Sequence, residues 1–247
     1  MKGLFKLSLV EFKLFTREFF AAFFTLAFPV MLLLFFGMIY GNEKTDFFGG
    51  YGMVDIAVPS YTAMIIASSG LISITTIIAS YREKGILRRL HATPLRPQTI
   101  LGAHVIVIFI MTSLGMGLLI VTGKLIYNMQ FEGNLLSVAA GFTLCSMSFF
   151  SLGFLIAGLI PTARTAQATA MVLFYPMIFL SGATIPLEVL PENVQNLATI
   201  LPLKHVVILL RGLWIGHGWD QHLVEVAVLF GILIIAIPIS AKTFRWE

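Results

Sequence analysis

Long apolar runs constrain this chain most strongly. Five of them contain no charged residue, and a sixth carries only Glu225 near its start. A helix needs about 20 apolar residues to cross the hydrocarbon core of a bilayer. The runs therefore predict an all-α polytopic membrane protein with six transmembrane helices. Their ranges are 19–42, 56–80, 98–123, 133–163, 165–187 and 223–241.

The composition supports this class. The chain has 247 residues, of which 58% are hydrophobic and 11% are charged. A soluble domain usually has about 25% charged residues. So much apolar surface in a short chain favours lipid as the solvent. The net charge of +4 does not indicate nucleic acid, because the basic residues are divided among separate loops. We therefore expect no nucleic-acid partner.

The N-terminal segment 1–18 carries four basic residues that fall on one arc of a helix. We predict an amphipathic helix lying at the lipid headgroups, with a solvated helical tail as the alternative. The apolar run that follows, 19–42, is longer than the core of a signal peptide, which is about 7–15 residues. We interpret it as a first span that is not cleaved.

The distribution of lysine and arginine predicts the orientation in the membrane. The termini and the loops 81–98 and 161–165 together hold twelve of the sixteen basic residues, and the opposite set of loops holds four. Cytoplasmic loops carry the excess of such residues. We therefore expect a cell-membrane protein with both termini, and loop 81–98, in the cytoplasm.

Segment 186–222 is predicted to be extracytoplasmic and re-entrant. Pro186, Pro191 and Pro202 each favour the start or end of a short helix. If this segment crossed the membrane once, the basic C-terminus would lie outside. We therefore predict short helices that dip into the outer leaflet and return. With no visible internal repeat, residues 1–247 are interpreted as a single transmembrane domain.

Loop 81–98 is the only long charged segment between apolar runs in the first two-thirds of the sequence. On a helix, Glu83, Ile86, Leu87 and Leu90 share one face, and Pro94 and Pro97 then favour an extended exit. A basic amphipathic helix of this kind is typical of two roles. It either lies on lipid and fixes the topology, or it docks into a groove of a soluble partner. Periodicity alone leaves both interpretations open.

No catalytic, metal or cofactor site is predicted in this chain. Thr122-Gly123-Lys124-Leu125 only approaches a phosphate-binding loop, because its glycine spacing is wrong and Leu125 has no hydroxyl to bind magnesium. No spacing of histidine, cysteine or acidic residues suggests a metal site. The chain is therefore expected to be a transport subunit rather than an enzyme.

Hydroxyl residues form a stripe in the second predicted span. Thr62, Ser69, Ser73 and Thr76 recur at helical spacing. Such hydroxyls usually bond backbone carbonyls and help helices to pack. The functional alternative is a mildly polar wall along a substrate path. No acidic residue lies deep in a predicted span, which argues against a carrier driven by protons or sodium.

Two segments resemble type-2 ABC exporter permeases. The first is Tyr81-Arg-Glu-Lys-Gly-Ile-Leu-Arg-Arg-Leu-His-Ala-Thr-Pro-Leu95, which is similar to the signature loop of that family. The second is Leu180-Ser-Gly-Ala-Thr-Ile-Pro-Leu-Glu-Val-Leu-Pro191, which is similar to the family's segment after span five. Together with the spans, the resemblance covers nearly the whole chain.

The resemblance implies a permease without its own ATPase. It would work with a second permease copy or paralogue and with two separate ATP-binding subunits that hold ATP and magnesium. The residues expected to receive the ATPase's motion are Glu83, Gly85, Ile86, Leu87 and Leu90. The expected function is export of a lipophilic or amphipathic substrate, such as a drug, an antibiotic or a lipid. The alternatives are an ATP-independent channel or carrier, and a membrane scaffold or sensor.

Overall fold

The structure, a computed structural model, describes residues 22–45, 48–86, 97–184, 187 and 191–243. The predicted interfacial helix at 1–18 lies outside these residues. In chain order, the described helices are a π-helical turn at Phe23–Ala27, α1 (Phe28–Tyr40), α2 (Met53–Ala67), a π-helical stretch at Ser68–Ile74, α3 (Thr75–Glu83), α4 (Pro97–Tyr127), α5 (Leu135–Leu159), α6 (Ala163–Leu180), α7 (Glu192–Ala198), α8 (Pro202–Trp214), a 3₁₀ turn at Trp219–His222 and α9 (Leu223–Thr243).

These helices confirm the all-α membrane fold. Among the described residues, four helices are long and apolar enough to cross a membrane, or five if α7 and α8 form one broken span. The apolar helix Thr25–Tyr40 is shorter than that, and α6 has 18 residues. The predicted count of six spans therefore stays a prediction.

The second predicted span is the centre of the fold. Helix α2, the π-helical stretch and α3 form one continuous helix, Met53–Glu83, which we call the central helix. All residues of α2 and of the π-helical stretch are buried. Helices α1, α4, α5, α6 and α8 contact it. A helix that is apolar on every side is stable where neighbours cover it completely.

The outer helices differ from the central helix in exposure. In the most apolar part of the last helix, Trp219–Ser240, the rest of the chain buries only 17% of the residues. The corresponding share for the central helix is 94%. Ile106, Ile110, Leu114 and Leu118 expose one side of α4. Exposed apolar side chains of this kind are stable when lipid surrounds them, since lipid is as apolar as they are.

A close backbone contact joins the central helix to α5. A Cβ atom on Gly70 would lie 2.5 Å from the carbonyl oxygen of Phe149, and one on Gly153 would collide with the carbonyl oxygen of Gly70. The Thr75 hydroxyl donates to the Gly153 carbonyl oxygen at 3.2 Å. Small residues at both positions let the two backbones approach.

The central helix starts earlier than the charge pattern predicts. Asp55 ends the predicted uncharged run, yet it lies within α2 and is 4% exposed. Its Oδ1 accepts hydrogen bonds from Asn42 Nδ2 at 2.9 Å and from the Gln130 amide at 2.8 Å. Its Oδ2 accepts one from the Gly52 amide at 3.2 Å. Protein donors replace water around this carboxylate, so the charge does not end the helix.

The region after the fifth predicted span contains short helices. Helix α6 ends at Leu180, before the predicted limit of 187, and Gly182 follows with a φ of +85°. Pro191 is the N-cap of α7 and Pro202 begins α8, as predicted for these two prolines, and Pro186 lies outside the described residues. The axes of α7 and α8 differ by 95°. This geometry fits either a broken span or a re-entrant segment, so the re-entrant path stays a prediction.

Candidate functional site

The candidate site is the end of the central helix, which lies within loop 81–98, called the coupling loop below because its residues are expected to receive the motion of the ATPase. The helix continues through Arg82 and ends at Glu83, so the first residues of the predicted loop 81–98 belong to it. The Lys84 amide donates to the Ser80 carbonyl oxygen at 3.0 Å. Gly85 follows with a φ of +64°, a conformation that glycine adopts without strain.

The turn at Gly85 separates two residues that were predicted to share a helix face. Glu83 is the last residue of α3, and Ile86 comes after the turn in helical geometry and is half-buried. The predicted helix face that begins at Glu83 is therefore interrupted, because the backbone of Gly85 is in the left-handed conformation. Leu87 and Leu90, the other members of that face, lie outside the described residues.

Arg82 contacts the end of α5. Its Nη1 donates to the Gly158 carbonyl oxygen at 3.3 Å, and its Nη2 donates to the carbonyl oxygen of Ile160. Ile160 is the C-cap of α5. The last carbonyl groups of a helix lack partners within the helix and carry partial negative charge. The guanidinium group satisfies them and has the favourable sign.

Glu83 contacts the start of α6. Its Oε2 accepts a hydrogen bond from the Ala163 amide at 2.7 Å, and Ala163 is the first residue of α6. The N-cap residue Thr162 accepts from the Thr165 amide at 3.3 Å, which leaves the Ala163 amide for another acceptor. A carboxylate next to a helix N-terminus is stabilised by the positive end of the helix dipole.

Two adjacent side chains thus hold one short connection from both ends. Arg82 binds the carbonyl end of α5, and Glu83 binds the amide end of α6. The family resemblance indicates that Glu83 receives the motion of the ATPase, but it assigns no role to Arg82. The sequence signal for both was their adjacency at the end of an apolar run. Their partners, 76 to 80 residues away, are visible only in the fold.

The predicted polar stripe lies inside the subunit. Thr62, Ser69 and Ser73 are buried, and Thr76 is half-buried. The Thr62 hydroxyl donates to the carbonyl oxygen of Val58, four residues earlier, at 2.8 Å. Ser69 accepts from the Thr112 hydroxyl of α4 at 2.9 Å. The first of these bonds lies within the central helix, and the second joins the central helix to α4. A place in a substrate path stays a prediction for these four residues.

Two of the five histidines lie together near the start of α9. The rings of His217 and His222 stack with centroids 5.7 Å apart, and His222 Nδ1 lies 3.8 Å from Glu225 Oε2. No group of three histidine, cysteine or acidic residues within the described part of the chain has the geometry of a metal site.

A comparison with protein families identifies the class of transport protein. The ABC-2 type transporter family model matches residues 4–214 of the 247 residues. The chain therefore belongs to the ABC-2 type transporter family and is a membrane permease. This confirms the resemblance derived from loop 81–98 and the segment after α6.

Two of the three relatives below are named as permeases, and the third is named as a nodulation protein. The probable multidrug ABC transporter permease YbhR of Escherichia coli K12 is 30% identical over 148 residues, which cover 60% of this chain and 40% of the relative. The daunorubicin resistance ABC transporter permease protein DrrB1 of Streptomyces coeruleorubidus is 23% identical over 228 residues, covering 88% of this chain and 77% of that protein. Nodulation protein J of Rhizobium leguminosarum bv. viciae is 30% identical over 99 residues, 40% of this chain and 38% of that protein. The match to YbhR therefore spans about two fifths of that relative's length.

Proposed function

We propose that this chain is the membrane subunit of an ATP-powered exporter that moves a lipophilic or amphipathic molecule out of the cell. The observation that supports the proposal is the position of the central helix. Of the four described helices that are long and apolar enough to cross a membrane, it is the most buried, and it ends at Glu83 within the predicted coupling loop 81–98. A displacement applied to this loop acts on the helix that the others pack around.

The energy source is a separate ATP-binding subunit. The family match supports this, since ABC-2 permeases work with such subunits. We propose two copies of it, which hold ATP and Mg²⁺, together with a second copy or a paralogue of the permease. The docking surface comprises Gly85, Ile86, Leu87 and Leu90. The termini and the loops 81–98 and 161–165 hold most of the basic residues, which supports a cytoplasmic position for them. The membrane is proposed to be the inner or plasma membrane.

The mechanism follows from the packing of the neighbouring helices on the central helix. Closure of the ATP-binding subunits on ATP moves their docking surfaces, and the coupling loop follows. The central helix transmits this movement because its packed neighbours cannot deform continuously and instead shift as units. Helices α4, α5 and α6 are in contact with it. Their rearrangement opens the route for the substrate on the opposite side of the membrane.

The names of the relatives support a drug-like cargo. One is named a multidrug permease and another a daunorubicin resistance permease. The described spans also lack a cluster of charged residues in their middle that would favour an ionic substrate. Daunorubicin is therefore the first probe to test.

The experiment is ATP-driven uptake into inside-out vesicles. The chain is co-expressed with the ATP-binding subunit encoded nearest to it in the source genome, called the partner ATPase below. We expect daunorubicin uptake that requires both proteins and ATP. Uptake that persists without the partner ATPase would refute the proposal and support an ATP-independent channel or carrier. If none of a panel of lipophilic drugs moves although the two proteins associate, the proposed cargo class is wrong.

A further inference from the structure

The connection between α5 and α6 is held by the end of the central helix. We propose that Arg82 and Glu83 are positioning residues that carry the movement of the coupling loop to α6 through this connection. The inference rests on the proposed function, because it requires a loop that is moved by an ATPase. It assigns the Glu83 carboxylate to transmission within the permease and leaves the docking of the ATPase to the residues from Gly85 onward.

The contacts support a stiff linkage. Glu83 accepts a 2.7 Å hydrogen bond from the Ala163 amide, which is short and charge-assisted. Arg82 donates from two nitrogens to two carbonyl oxygens at the end of α5, those of Gly158 and Ile160. The planar guanidinium group fixes the direction of both bonds. Three backbone groups of the α5–α6 connection therefore move together with the end of the central helix.

The signs of the charges make the arrangement specific. The carbonyl end of a helix attracts a cation and the amide end attracts an anion. Arg82 lies at the first kind of end and Glu83 at the second. Exchanging the two charges would place each next to a helix end of its own sign. The order arginine then glutamate is thus required by the geometry, beyond the presence of two charged residues.

Away from the loop end, the π-helical stretch of the central helix contacts both α5 and α6, and its contact with α5 brings the two backbones close together. There, the backbones of Gly70 and Gly153 are in contact and Thr75 donates to Gly153. Helix α5 is therefore attached to the central helix at two levels, and the carboxylate of Glu83 holds the first residue of α6 at the loop end. Movement of the loop displaces this end of α6 when Glu83 is intact.

The test separates transmission from docking. We compare E83A, E83Q, R82Q and I86D in the complex with the partner ATPase, measuring the Kd of the complex and ATP-driven uptake of the best-transported drug of the panel. For E83A and R82Q we expect a Kd within about twofold of the wild type and uptake reduced about fivefold or more, as a typical coupling free energy implies. E83Q, which keeps an acceptor but loses the charge, should be intermediate. I86D should weaken the complex.

Two controls complete the design. E43Q makes the same change from carboxylate to amide on the exposed Glu43, at the other end of the central helix, and should leave both measurements unchanged. The charge exchange R82E with E83R should not restore uptake. Thermal unfolding of each variant identifies any that fail to fold, and E83Q then replaces E83A.

Amide hydrogen exchange tests the linkage in the permease alone. We expect the Ala163 amide to exchange about tenfold faster or more in E83A than in the wild type, because a hydrogen bond to a charged group is lost. Unchanged exchange overturns the linkage.

The remaining outcomes are also decisive. If E83A weakens the complex as strongly as I86D, Glu83 belongs to the docking surface and the inference is wrong. Normal uptake by E83A also overturns it. If the wild-type chain neither binds the partner ATPase nor transports with ATP, the proposed function fails, and the transmission role fails with it. That failure is distinguishable because it precedes any substitution.

Discussion

Replacement of Asp55 is the most informative test of how the chain tolerates a charge inside its fold. The carboxylate is buried and accepts three hydrogen bonds, from the side chain of Asn42 and from the amides of Gly52 and Gln130. It thereby joins the α1–α2 connection, the start of α2 and the α4–α5 connection. Its removal should affect stability far more than the loss of a surface charge.

The magnitude follows from the donors that are left behind. In D55A, Asn42 keeps the Tyr127 carbonyl oxygen as an acceptor at 3.3 Å, but the amides of Gly52 and Gln130 lose theirs. The bond from the Gly52 amide is buried and the bond from the Gln130 amide is part-buried. A donor that loses its partner costs about 1–3 kcal/mol, so D55A should lose about 2–6 kcal/mol. D55N retains the shape and one acceptor oxygen. It should lose about 1–3 kcal/mol, since its amide opposes one of the donors.

The assay is unfolding of the permease in mixed micelles by titration with a denaturing detergent, which gives the free energy of unfolding. The matched control is E43A on the exposed Glu43 of the same connection, which should change stability by less than about 0.5 kcal/mol. A loss below about 1 kcal/mol for D55A would refute the reasoning. An equal loss for D55N and D55A would show that hydrogen bonding does not determine the effect.

Further substitutions test the other contacts. G153A should destabilise the fold by about 1–3 kcal/mol in the same titration, because its Cβ meets the central helix backbone; G117A in α4, where nothing lies within 4 Å, should be neutral or stabilising. G85A should reduce ATP-driven uptake more than G85N does, because asparagine tolerates a positive φ better than alanine; equal uptake would contradict a required left-handed turn. T112V removes the hydroxyl that donates to Ser69 and should cost about 1 kcal/mol with uptake unchanged; reduced uptake at unchanged stability would instead favour the substrate-path role of the stripe.

The fold class was predictable because lipid imposes a simple rule. A run of about 20 uncharged residues has few stable alternatives to a helix in a bilayer. The runs accordingly match the described long helices, and Pro191 and Pro202 mark the starts of the short ones. The same rule places the ends of a span at charged residues. The central helix instead extends beyond its uncharged run at both ends, from Met53 to Glu83.

The boundaries differ because charged residues can be satisfied by distant parts of the chain. Asp55 lies within α2 because Asn42 and Gln130 provide donors. Arg82 and Glu83 lie within α3 because the α5–α6 connection, 76 to 80 residues away, provides their partners. Hydropathy along the sequence includes none of these contacts.

The π-helical stretch explains another difference. The prediction of a hydroxyl stripe assumes an α-helix with about 3.6 residues per turn, whereas Ser68–Ile74 is π-helical and has more residues per turn. Thr75, which the stripe omits, makes the cross-helix bond to Gly153. The looser winding includes Gly70, where the backbone of α5 lies close, and residue spacing alone could not reveal it.

The most direct test of the central claim is the effect of the double substitution I86D and L87D on ATP-driven drug uptake by the complex with the partner ATPase. We expect the wild-type complex to take up drug only with ATP, and the double variant to insert and fold normally but to lose association and uptake. Normal ATP-driven uptake by the double variant, or equal uptake by the wild type without ATP, would contradict the account.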